Sequence, residues 1–149
     1  MDLNPHQFQA PWTAYEFASH AIASQSEILI LSMAWLTHLT SAAIAEEKEA
    51  PDLDTLTYWV ERLHPLRMAE KEVLVVCANR CGEEPGATPA GGEDGVRYAG
   101  SSWVGLVGRE EVKIWGILGR GQEDVLIVDT TEEPKWVLRF NPSDGKAGT

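Results

Sequence analysis

The period of the apolar positions changes several times along this chain, and each change marks an element. Trp12, Tyr15, Ala18 or Ser19, and Ile22 recur at helical spacing. They predict a helix over Phe8–Ser24 with those residues on its buried face. Pro11 falls in its first turn, where the missing N–H is harmless. Ile28–Leu36 is a short, continuous apolar run rich in branched residues. That pattern predicts a strand buried on both faces, in a parallel or mixed sheet covered by helices. Ser41–Pro51 is alanine-rich and then charged (Glu46, Glu47, Lys48, Glu49), as expected of a solvated connection with a short helix. Asp52 or Asp54 is placed to cap the next helix, whose apolar positions are Leu56, Trp59, Val60 and Leu63. Pro65 should end it near His64. Val73–Ala78 predicts a second buried strand, and Asn79-Arg80-Cys81-Gly82 a turn leaving it.

Glu83–Gly95 is rich in Gly, Pro and Glu and reads as a mobile loop. Beyond it the pattern shortens. Arg97–Val107, Val112–Leu118 and Val125–Asp129 predict three strands joined by short turns, and Trp136–Phe140 a further short piece. Pro142–Thr149 is polar and should fray. The order of helix, strand, helix, strand and then several strands predicts an α/β layered domain ending in a meander.

Composition narrows the classes. The 149 residues suffice for one domain with a sizeable core, and 44% are hydrophobic. The net charge of −11 disfavours nucleic acid and anionic membranes as partners. The N-terminus lacks the pattern of a signal peptide, and no apolar run is long enough to span a bilayer. With two cysteines, Cys77 and Cys81, no disulfide framework is implied. A reducing compartment is expected: the cytoplasm, with the nucleus as the alternative.

Candidate chemistry is sparse. Cys77 lies in an apolar strand and reads as a buried small residue. Cys81 in the turn is more open to chemistry, but no neighbouring His or Lys lowers its pKa. Cys-x3-Cys is not a metal or redox spacing, and His6, His20, His38 and His64 are scattered, so no metal is expected. Ser101-Ser102 has no Gly-x-Ser-x-Gly around it and reads as structural. Gly116, Gly119 and Gly121 form no phosphate loop and suit turns and close strand approach. Of the six tryptophans, Trp12, Trp59 and Trp115 sit on core-like faces. Trp35 ends a strand, which is where α/β folds place ligand contacts. No cofactor is implied.

Several segments, taken in order, resemble the C-terminal half of the nitrilase (carbon-nitrogen hydrolase) superfamily. Met1-Asp2-Leu3-Asn4-Pro5 is similar to the run just after that family's catalytic cysteine. Ser32-Met33-Ala34-Trp35-Leu36 resembles the end of the strand bordering its pocket. Val75-Val76-Cys77-Ala78-Asn79-Arg80-Cys81-Gly82 resembles its apolar strand ending Ala-Asn-Arg-x-Gly. Tyr98-Ala99-Gly100-Ser101-Ser102 and Glu123–Asp129 are similar to its later strands. The likeness extends to about Thr130. Within the superfamily, Met-Asp-Leu-Asn-Pro, Ala-Pro-Trp-x-Ala-Tyr-Glu-Phe and Ser-Met-Ala-Trp-Leu are most similar to the fungal-type protein N-terminal asparagine/glutamine amidohydrolases.

The resemblance implies part of a four-layer αββα sandwich, lacking its N-terminal half: residues 1–130 with a surface loop at 83–95, then a tail at 131–149. The implied chemistry is hydrolysis of the side-chain amide of an N-terminal Asn or Gln, releasing ammonia and feeding the N-degron route of protein turnover. It uses a cysteine nucleophile, a glutamate acid/base and a lysine beside the oxyanion. The cysteine would stand one place before Met1, with the glutamate and lysine further upstream. The chain itself would then carry no catalytic residue and be inactive alone. Carried over by position, Met1 would offer an oxyanion-hole N–H, and Asp2 and Asn4 would shape the wall behind the nucleophile. Met33 and Trp35 would line the pocket floor, and Asn79 and Arg80 would brace the strand end. The competing reading is a non-catalytic remnant acting as a binding or oligomerisation module, a homo-oligomer included. In a third, a separate chain supplies the missing half. In the remnant reading, half a sandwich should leave an apolar sheet face and an unpaired strand edge, both of which favour association or aggregation.

Overall fold

A computed structural model describes residues 11–86, 95–109 and 111–140. Its centre is a mixed five-stranded sheet in the order β1-β2-β5-β6-β7. The strands are β1 (Ile28–Met33), β2 (Val73–Asn79), β5 (Trp103–Gly108), β6 (Glu111–Ile117) and β7 (Trp136–Arg139). β1 and β2 are parallel, and the remaining neighbours are antiparallel. A small antiparallel ribbon joins β3 (Glu83–Glu84) to β4 (Val96–Arg97). The α/β class expected from the pattern is the class observed.

Parallel neighbours need a crossover, and here it carries α2 (Ser41–Glu46), α3 (Leu53–Arg62) and α4 (His64–Met68). Asp52 caps α3, its carboxylate accepting from the N–H groups of Asp54 and Thr55. Pro65 does end α3 early, at Arg62, but then sits in the first turn of α4, where its fixed φ fits.

The N-terminal helix is shorter than predicted. A 3-10 turn (Trp12–Ala14) leads to Tyr15 in the left-handed region (φ 44°), and α1 (Glu16–Ala23) starts after it. Residues 8–10 of the predicted helix lie outside the described residues. The break at Tyr15 takes Trp12 out of the phase of α1. Ala18 and Ala21 are buried, whereas Trp12 and Ile22, expected on the core face, are exposed.

The core occupies one face of the sheet. Leu29, Leu31, Val73, Val75, Cys77, Trp103, Val107, Val112 and Ile114 alternate onto that face and meet Ala18, Ala21, Trp59, Val60, Leu63 and Leu66. β1 is therefore not buried on both faces. Ile28 and Ile30 are 57% and 74% exposed on the opposite side, in register with half-buried Leu74 and Val76. Among the described residues, the helices that pack on the sheet cover the first face; the second is open at Ile28 and Ile30, while Val104 on it is buried.

Two further predictions need correction. Arg97–Val107 is not one strand: β4 ends at Arg97 and β5 begins at Trp103, with a sharp bend between. Gly100 (φ 53°) and Ser101 (φ 57°) both take left-handed backbone there. Val125–Asp129 forms no strand among the described residues. Its side chains still alternate: Leu126 and Val128 lie against Gly116 of β6, while Val125 and Ile127 are exposed. A bulge in β6 sets Gly116 opposite Val104 and Ile114 opposite Gly105, leaving Trp115 as the extra residue. Trp115 Nε1 donates to the Glu132 carbonyl at 2.8 Å, tying this outer segment down. Of the loop expected over 83–95, the ribbon holds the two ends, and 87–94 lie outside the described residues.

Candidate functional site at the C-terminal end of the parallel strands

Because β1 and β2 run parallel, their C-terminal ends meet, and Met33 is the register partner of Asn79. Such strand ends are where open α/β sheets hold ligands. Asn79 is 9% exposed, and both ends of its amide are hydrogen-bonded. Its Oδ1 accepts from the Trp35 N–H at 2.8 Å and its Nδ2 donates to the Gly100 carbonyl at 2.8 Å. Its backbone N–H donates to Ser102 Oγ at 3.0 Å, and that hydroxyl donates to the Asn79 carbonyl at 3.1 Å. Arg80 N–H donates to the Met33 carbonyl, and the Ala99 N–H to the Trp35 carbonyl. One amide side chain thus joins the segment leaving β1 to the Tyr98–Ser102 bend.

The bend is itself braced. Ser101 Oγ accepts from the Asp52 N–H at 2.8 Å and donates to the Ala99 carbonyl at 2.9 Å, which couples it to the cap of α3. Gly100 is pressed against Arg120: a Cβ there would lie 2.3 Å from the Arg120 carbonyl oxygen. The expectation that Ser101 and Ser102 are structural agrees with this geometry.

Arg80 extends outward over the Tyr98 ring, 4.4 Å from its centroid, and pairs with Glu84 at 2.7 Å. The Tyr98 hydroxyl donates to the other Glu84 oxygen at 2.7 Å. That hydrogen bond, with the Arg80 guanidinium, holds the Glu84 carboxyl below the usual carboxylate range. The same bond pushes the Tyr98 phenol up.

Beside this braced strand end opens a groove of about 980 Å³, between the segment after β1 and the start of α3. Trp35 and Tyr58 line it, their ring centroids 4.6 Å apart, with Trp59 behind at 5.2 Å from Trp35. Glu47, Asp52, Asp54 and Arg120 lie on its polar side. Arg120 is fully engaged, with Glu47 at 3.1 Å and the Ala50 and Pro51 carbonyls at 3.2 and 3.1 Å.

Neither thiol is set up as a nucleophile. Cys77 is in the core, where burial pushes its pKa well up. Cys81 is half-buried, its Sγ 3.7 Å from the Gln122 carbonyl. Among the described residues no cluster of three or more His, Cys, Asp or Glu side chains forms a metal site, and no helix is long and apolar enough to cross a membrane.

The chain is similar to the protein N-terminal amidase of Schizosaccharomyces pombe (strain 972 / ATCC 24843), with 26% identity over 138 residues. That likeness relates it to an N-terminal amidase. It covers 85% of this chain, and the chain spans 44% of that relative's length. No family model matches the chain, and no solved structure matches it.

Of the residues singled out by sequence, the fold gathers Met33, Trp35, Asn79 and Arg80 at one end of the sheet. Trp35 is on the groove wall, while the Met33 side chain packs on the core. Met1, Asp2 and Asn4 lie outside the described residues. Sequence reasoning missed Tyr58, Asp52 and Glu84 as neighbours of this site. The local pattern marked Asp52 as a cap, but its contact with Ser101, the Tyr58–Trp35 ring contact and the Glu84–Tyr98 bond join residues distant in sequence.

Proposed function

We propose that this chain is the C-terminal part of a protein N-terminal amidase. The complete enzyme hydrolyses the side-chain amide of an N-terminal Asn or Gln to the carboxylate and ammonia. The observation that carries this reading is the similarity to the fission-yeast amidase over 85% of the chain. Residues 1–130 would belong to a nitrilase-type αββα sandwich, and 131–149 would follow it. Two features of the sheet support the sandwich. Its second face is apolar and open at Ile28 and Ile30. The Val125–Val128 segment alternates like a strand and lies unpaired among the described residues. A second sheet would cover the one and pair with the other.

In this reading the nucleophilic cysteine, the glutamate and the lysine belong to sequence preceding Met1, and Met1, Asp2 and Asn4 stand directly after the cysteine. The roles left to this chain are binding and positioning. Asn79 fixes the Trp35 backbone, Arg80 ties Tyr98 to Glu84, and Trp35 walls the groove. The substrate is the N-terminus of a protein or peptide, and the setting is cytoplasmic or nuclear. The chain alone then performs no hydrolysis, because loss of the nucleophile removes the covalent step.

The test is to express this chain alone and extended through the codons that precede Met1 in its transcript. Both forms are assayed for ammonia release from an Asn-terminal peptide. Release by the extended form alone is expected, abolished when the cysteine before Met1 becomes Ala. A stop codon directly before Met1, or an extended form without activity, would overturn the reading. The open apolar face specifically favours a second use of the chain, as a binding or homo-oligomerising module, which concentration-dependent sedimentation would reveal.

A further inference from the structure

The groove beside Trp35 is larger than one side chain requires. Its volume of about 980 Å³ lies at the upper end of the range for whole small-molecule sites. Its charges are unbalanced. Glu47, Asp52 and Asp54 line it, against Arg120 as a fixed cation, with His38 also on the wall. Arg120 and Glu47 neutralise each other at 3.1 Å. The Asp52 carboxylate is taken up by the N–H groups of Asp54 and Thr55 and by the Thr37 hydroxyl. The Asp54 carboxylate is exposed and meets no partner among the described residues. Two π-systems, Trp35 and Tyr58, line the same groove, with Tyr58 one turn after Asp54 on α3. A free carboxylate beside aromatic rings suits a cationic guest, which gains from both.

We propose that this groove is a subsite for the polypeptide that follows the substrate's N-terminal residue, and that it selects Lys or Arg there. The proposal rests on the amidase reading for the identity of the guest as a protein N-terminus. Charge complementarity argues for the basic side chain. An acidic segment would meet Asp54, unpaired among the described residues, and a chain of net charge −11, and would find no free cation among the described residues of the wall.

The test uses the full chain and three synthetic peptides, Asn-Lys-Lys-Ala-Gly, Asn-Glu-Glu-Ala-Gly and Met-Lys-Lys-Ala-Gly, titrated by tryptophan fluorescence and calorimetry at low ionic strength. The Lys peptide should bind at least about fivefold more tightly than the Glu peptide, as one or two partly exposed charge contacts allow, and salt should shrink the difference. Asp54→Asn should reduce the preference and Asp54→Lys reverse it, both with unchanged circular dichroism. Equal affinity for the Lys and Glu peptides, indifference to both substitutions, or no binding of any peptide would overturn the subsite. Equal binding of the Asn-Lys-Lys and Met-Lys-Lys peptides by the form extended upstream of Met1 counts instead against the amidase reading and leaves the charge preference of the groove standing.

Discussion

The Asn79 side-chain oxygen accepts a hydrogen bond from the Trp35 backbone N–H at 2.8 Å. This contact links two residues 44 positions apart and holds the groove's aromatic wall to the end of β2. Backbone leaving a parallel strand has no ladder partner, so its N–H groups need another acceptor when buried. Asn79 supplies it and, through its amide nitrogen, also satisfies Gly100.

Asn79→Ala should therefore leave the Trp35 N–H and the Gly100 carbonyl without partners. A loss of about 2–4 kcal/mol is expected, summed over two orphaned groups. Urea unfolding followed by circular dichroism measures it. A loss below about 1 kcal/mol would mean that water replaces the amide.

Gly100→Ala should be at least as harmful. The left-handed backbone at φ 53° alone costs more than about 1 kcal/mol for a residue with a Cβ. The added carbon would also sit 2.3 Å from the Arg120 carbonyl oxygen, backbone that has little room to give. Poor expression, or a large drop in Tm, is the expected result. Wild-type stability would show that the bend can relax.

The two thiols should differ in reactivity. Cys77 is buried and its pKa is pushed up, while Cys81 is partly exposed. A thiol-exchange reagent near pH 8 should titrate one group in the folded protein and the second only in denaturant. Cys81→Ser should remove the fast reaction. Two fast thiols would mean that β2 opens readily.

Acid should weaken the strand end through Glu84. Its pKa is lowered in the fold by the Tyr98 hydroxyl and by Arg80, relative to an ordinary value of 4.5. A lowered carboxylate contributes stability above its unfolded pKa and loses it as pH falls through the folded value. The effect should thus be fully present near pH 6, start to decline as pH falls past 4.5, and vanish only below the lowered folded value. Glu84→Gln should flatten this acid limb in pH-dependent unfolding, and an unchanged limb would assign it to other carboxylates.

The open sheet face should be a liability for the isolated chain. Ile30 is 74% exposed and makes no core contact. Ile30→Glu should change stability by no more than about 0.5 kcal/mol while raising solubility and reducing binding of a hydrophobic dye. Large destabilisation would place Ile30 inside a core after all.

Much of this architecture was legible in the local pattern. The runs at Ile28 and Val73 were strands, Asp52 was a cap and the apolar stripe of Leu56, Trp59, Val60 and Leu63 was a helix, because period and capping act over a few residues. Motif order also pointed to an N-terminal amidase, a relation that the fission-yeast enzyme supports. Periodicity could not tell which faces would be covered. Ile28 and Ile30 read as buried because a continuous apolar run fits a two-sided strand, yet burial depends on what packs above each face. The left-handed torsion at Tyr15, which no hydrophobic pattern encodes, took Trp12 out of the phase of α1. Val125–Asp129 has the side-chain alternation of a strand, but a strand also needs a hydrogen-bonding neighbour, and the described residues offer none. The site follows the same division. The sequence by itself marked Trp35 as the end of a strand and Asn79 as the start of a turn, whereas β1 ends at Met33 and β2 runs through Asn79. Only the tertiary structure set Trp35 2.8 Å from Asn79 and brought Tyr58, Asp52 and Arg120 around them, because contacts between distant residues are made by the packing of whole elements.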